Sequence, residues 1–114
     1  MTSRLRSAAR CTTLLLLLAA SMALASPKSQ TFIGQVSDAM CGAKHMSGPP
    51  AECTRACVKQ GSKYALVVGD KVYTLETDDQ ATLAKLDSLA GEKAKVSGTL
   101  DGETIKVSSV ADGQ

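Results

Sequence analysis

Two short stretches of this chain concentrate the side chains that do chemistry. Asp38-Ala39-Met40-Cys41-Gly42-Ala43-Lys44-His45-Met46 is followed by Cys53-Thr54-Arg55-Ala56-Cys57. Together they hold the single histidine and three of the four cysteines. Thiols and an imidazole can close disulfides, ligate a metal or act as nucleophiles. The sequence leaves all three open.

A structural staple would pair Cys41 with Cys53 or Cys57. A bridge between Cys53 and Cys57 is disfavoured, because side chains four apart on a helix run nearly parallel and meet the disulfide dihedral poorly. Closing a loop of this length stabilises by roughly 3 kcal/mol in the chain-entropy model. The third cysteine is left over, which allows a disulfide-linked dimer.

A metal site would use Cys41, His45, Cys53 and Cys57, a set that suits tetrahedral zinc. The spacing is C-x3-H and then C-x3-C, which differs from the common C-x2-C knuckle. Met40 and Met46 flank the cluster, and soft sulfur favours Cu(I). Asp38 would accept the His45 ring proton or form a turn through its own backbone. The expected cofactor is therefore none, or a single Zn or Cu ion.

A thiol-redox site would need a lowered cysteine pKa, with His45, Lys44, Arg55 or Lys59 as neighbours. It lacks the C-x-x-C motif. The basic residues read equally well as a solvated face.

The elements that must position these groups are short. Residues 31–37 form a strand through Phe32, Ile33 and Val36, with Gly34 marking a bulge. Gly48-Pro49-Pro50 breaks the chain, and residues 51–60 form a helix that ends at Gly61 and carries Cys53 and Cys57 on one face. Residues 64–68 and 71–75 are strands joined by a Gly69-Asp70 turn. Thr77 caps a second helix, with Gln80 completing a capping box. Leu83, Leu86, Leu89 and Ala90 form its apolar stripe, and Gly91 stops it. Residues 94–100 and 104–110 are strands around the Asp101-Gly102 hairpin signal. This order predicts a mainly β domain, a small five-stranded OB-fold-like barrel. One helix lies between strands three and four, and a short cysteine-bearing helix lies between strands one and two. The Cys/His-rich excursion spans residues 38–63.

The start of the chain reads as a leader. Arg4, Arg6 and Arg10 precede an apolar run over 14–20, and Ala23-Leu24-Ala25 fits a cleavage site. A signal peptide over 1–25 would take Cys11 with it and leave one domain over 26–114. The apolar run is too short to span a bilayer comfortably, so no membrane span is expected. The expected location is periplasmic or secreted. A domain of this size has a marginal core, which makes a staple or a metal useful.

The whole chain carries a net charge of +2, and removing a leader with three arginines and no acid leaves −1. That balance, with only Phe32, Tyr64 and Tyr73 as aromatics, argues against nucleic acid. A hydrolase is also disfavoured, because no serine elbow is present and one histidine would serve every base role. The expected partner is an unidentified protein or small ligand.

A resemblance accompanies these readings. Gly34-Gln-Val-Ser-Asp-Ala-Met-Cys-Gly-Ala-Lys-His45, then Glu52-Cys-Thr-Arg-Ala-Cys-Val58 and Tyr64-Ala-Leu-Val67, resembles a family of small exported bacterial domains of uncharacterised function. The likeness covers residues 32–110 and is most specific over 38–57. It implies an extracytoplasmic location and no particular activity. The expected function is a non-enzymatic binding or structural module of the cell envelope with a disulfide-stapled cluster. A Zn or Cu(I) protein and a thiol redox protein are the alternatives.

Overall fold

Five strands and two helices follow one another: β1 (Gln30–Asp38), α1 (Pro50–Lys59), β2 (Tyr64–Val68), β3 (Lys71–Glu76), α2 (Gln80–Ser88), β4 (Lys93–Asp101) and β5 (Thr104–Asp112). They are seen in a computed structural model that describes residues 28–45 and 48–114. The expected leader over 1–25 and Met46 lie outside the described residues.

All five strands belong to one sheet, in the order β1-β2-β3-β5-β4, and β4 pairs back onto β1. Every neighbouring pair is antiparallel except β3 and β5, which run parallel over Thr74–Thr104 to Glu76–Lys106. The turns at Gly69 and Gly102 take φ of +63° and +60°, which glycine adopts without a Cβ penalty. Inward positions alternate along β4, where Ala94, Val96 and Gly98 are buried. Val36, Leu66, Leu75, Val96 and Ile105 meet Leu86 and Leu89 of the α2 region in the core, and Leu83 packs against its edge.

Gly34 has a different purpose from the bulge expected of it. The β1–β4 register runs unbroken from Gln30 to Gln35, and the register shift lies between Ser97 and Gly98. A Cβ at position 34 would strike the Val67 carbonyl oxygen. Close approach of two backbones, not an inserted residue, is what demands glycine there.

The cap of α2 also differs. Asp79, not Thr77, is the N-cap, accepting from the Thr82 amide at 2.9 Å and the Thr82 hydroxyl at 2.7 Å. Thr77 Oγ1 instead accepts from the Asp79 amide at 3.2 Å. A carboxylate beside the first-turn amides also complements the helix dipole, and the Thr82 hydrogen bonds hold Asp79 below the ordinary carboxylate range.

The first helix begins with proline in its first turn and has no side-chain cap. It is held from outside. Arg55 donates from Nη2 and Nε to the Asp87 carbonyl at 2.9 and 3.2 Å, and its Nε lies 3.6 Å from Asp87 Oδ1. A guanidinium at the C-terminal end of α2 is favourably placed against its carbonyls. Tyr64 donates its hydroxyl to the same Asp87 carboxylate at 3.3 Å. At the start of α1, a Cβ on Gly91 would come within 2.8 Å of the Ala51 nitrogen. Gly91 in turn donates to the Val36 carbonyl at 2.9 Å. Thus α1 is docked on the α2–β4 turn, which is stitched to β1. No helix among the described residues is long and apolar enough to cross a membrane.

Candidate metal centre

The site starts where β1 ends. Asp38 is its last residue and is 0% exposed. Its Oδ2 accepts from the amides of Met40 at 3.1 Å and Cys41 at 2.9 Å, while its carbonyl accepts from the Gly42 amide at 2.8 Å. Aspartate forms such turns readily. Gly42 takes φ +60°, and its carbonyl accepts the Ser37 hydroxyl at 2.6 Å. The Ala39 amide donates to the Lys63 carbonyl at 2.8 Å, joining the start of the excursion to its end. Cys41 therefore sits on a turn fixed at several points.

From α1, Cys53 and Cys57 face this turn. Cys41 Sγ lies 3.4 Å from Cys53 Sγ and 3.6 Å from Cys57 Sγ. The three sulfurs lie within 4.8 Å of one another. A disulfide needs about 2.05 Å. The expected staple between Cys41 and Cys53 or Cys57 is therefore not formed in this structure: Cys41 stands between two sulfurs and approaches neither to bonding distance. Thiolates around tetrahedral zinc, with Zn–S bonds of about 2.3 Å, are spaced by about 3.8 Å. The observed spacings are close to that value.

His45 joins a second group. Ligand atoms of Asp38, Cys41 and His45 also lie within 4.8 Å of one another, so Cys41 belongs to both sets. Asp38 Oδ1 and both ring nitrogens of His45 are buried without a hydrogen-bond partner. Thr54 Oγ1, on the buried side of α1, is in the same condition. Unsatisfied buried polar atoms are rare in native proteins because desolvation is left uncompensated. A cation between Asp38, Cys41 and His45 would satisfy an oxygen and a nitrogen together.

The electrostatics favour protons on Cys41 and Cys57 when no cation is bound. Contacts with Cys53 and Cys57, then burial and the nearby Asp38 carboxylate, push the Cys41 thiol from 9.0 up to about 12. Cys57 is raised as well: its contact with Cys41 pulls it down, but burial, Asp38 and Cys53 together push it further up. These surroundings oppose the thiolate that a nucleophile needs.

The structure thus brings Cys41, Cys53 and Cys57 together and sets His45 beside Cys41. Arg55, expected as a thiol neighbour or a solvated charge, is engaged at the end of α2. Lys44 and Lys59 are on the outside of the site, and Met40 is 66% exposed. Of the two roles expected of Asp38, the structure shows the turn and not the acceptor of the His45 ring proton, since neither His45 nitrogen has a hydrogen-bond partner. Its place as a candidate ligand follows from burial that leaves Oδ1 unpartnered, a tertiary property that the spacing does not carry.

No family model matches this chain, and no curated protein or solved structure matches it.

Proposed function

We propose that this is a small exported, non-enzymatic module of the cell envelope that binds a thiophilic metal ion, Zn or Cu(I). Cys41, Cys53 and Cys57 are its sulfur ligands, with His45 beside them. The observation that carries this reading is the mutual proximity of three sulfurs held by two independently anchored elements. Thiolates suit both ions. The raised Cys41 and Cys57 thiols speak against either of those two as a nucleophile. The strand order, with its parallel β3–β5 pair closing onto β4 and β1, supports an OB-fold-like barrel in which the excursion over 38–63 replaces the loop between the first two strands. Export rests on the leader pattern and on the family resemblance.

Native mass spectrometry of the domain purified from a bacterial periplasm tests the reading. The expected result is a zinc or copper adduct, with three cysteines that alkylate after chelation and denaturation. A metal-free mass with one alkylatable cysteine would replace the metal reading with an intramolecular disulfide.

A further inference from the structure

The Cys41 sulfur is shared by two ligand groups. One group adds Cys53 and Cys57; the other adds Asp38 and His45. The second group has its own signs of a missing partner. Asp38 is 0% exposed, yet its Oδ1 has no hydrogen bond. Both His45 nitrogens are buried and unpartnered, although a neutral imidazole carries one donor and one acceptor. Asp38 Oδ2 is already occupied by the Met40 and Cys41 amides, so Oδ1 is the oxygen left to bind. Nitrogen, oxygen and sulfur from three residues, completed by a water, form a mixed donor set that zinc accepts.

We propose that Asp38, Cys41 and His45 form a second zinc site, and that the Cys41 thiolate bridges it to the ion held with Cys53 and Cys57. Charge supports two ions. Three thiolates and one carboxylate carry four negative charges. One divalent ion leaves two of these uncompensated in a partly buried cluster, whereas two divalent ions neutralise the set. A thiolate retains lone pairs after its first metal bond, so bridging requires no further group. Each ion that binds displaces the protons of its own ligands. This inference rests on the three-cysteine reading for its first ion, and the stoichiometry separates the two.

The test is a zinc titration of the reduced, metal-stripped full domain, followed by native mass spectrometry and competition with a chromophoric chelator. Wild type is expected to bind two zinc ions per chain. His45→Ala and Asp38→Asn are each expected to bind one, and the asparagine amide of the second variant retains an oxygen for the turn amides. The double variant Cys53→Ser, Cys57→Ser is expected to keep the other ion, on Asp38, Cys41 and His45. Saturation of wild type at one zinc overturns the second site. If His45→Ala then weakens that single ion tenfold or more, His45 is the fourth ligand of a mononuclear centre. If wild type binds no zinc, the second site falls, and binding of Cu(I) by the same protein decides whether the three-cysteine reading falls with it.

Discussion

The Asp38 carboxylate ties down the backbone of Cys41: its Oδ2 accepts the Cys41 amide at 2.9 Å, three residues along the chain. A buried acid at the end of β1 thereby decides where the shared sulfur points. Asp38→Ala would leave the amides of Met40 and Cys41 without this acceptor and is expected to destabilise the metal-free domain by about 1–3 kcal/mol. Asp38→Asn, which keeps an acceptor oxygen, should recover much of that loss. Urea unfolding of the two variants under reducing conditions and chelation checks the order. Equal destabilisation would mean that the charge, not the turn, is what matters.

Gly91 links the sheet to α1. Its φ is +78°, and an added Cβ would meet the Ala51 nitrogen at 2.8 Å. Backbone nitrogen cannot swing aside as a side chain can. Gly91→Ala is therefore expected to cost about 1–3 kcal/mol through the strained φ and the displaced helix. Gly61→Ala serves as a control, because its φ is +104° but nothing lies within 4 Å of its would-be Cβ. Thermal unfolding should show a larger drop for position 91.

Arg55 tests whether the docking of α1 matters to the cysteines. The residue is exposed enough that its ion pair with Asp87 contributes at most about 1 kcal/mol. Arg55→Ala should leave the fold intact and lower the unfolding midpoint slightly. Because α1 carries Cys53 and Cys57, metal affinity should fall by a larger factor than stability predicts. Competition with a chelator measures this. Unchanged affinity would show that Arg55 is not needed to hold the helix.

The thiol cluster gives the metal-free domain a defined pH response. Cys41 is raised from 9.0 to about 12 in the folded state. Below pH 9 the thiol is protonated whether folded or not. Above it the unfolded chain gives up its proton first, so stability is lost as pH rises from 9.0 towards about 12. Cys57 acts in the same direction. Cys41→Ser should flatten this decline in chemical-denaturation curves recorded under reductant. With zinc present the trend at lower pH reverses in cause: affinity should weaken as pH falls, because ligand thiols take protons back. Zinc titrations at several pH values measure that slope.

The regular frame can be read along the chain. Alternation in 71–75 and 104–110, together with Gly69-Asp70 and Asp101-Gly102, corresponds to β3, β5 and their hairpins. These signals are local: strand period and turn chemistry act within a few residues. The apolar stripe of α2 is visible for the same reason, and Leu86 and Leu89 are in the core. Its first turn is harder to place because Thr77 and Asp79 both offer a capping oxygen, and in the structure it is Asp79 that accepts the Thr82 amide.

By itself the sequence determined that Cys41, His45, Cys53 and Cys57 lie in one window and that two of them share a helix face. Spacing cannot say whether three sulfurs converge, and it points first to a disulfide. Closure of β4 onto β1 places Gly91 beside Val36, and Gly91 and Asp87 then receive α1 through Ala51 and Arg55. That docking brings Cys53 and Cys57 to the turn held by Asp38. Asp38, paired with Tyr64 of β2, is buried there with one of its oxygens lacking a hydrogen-bond partner. Such features depend on groups far apart in the chain, whose meeting is decided by packing of the whole domain.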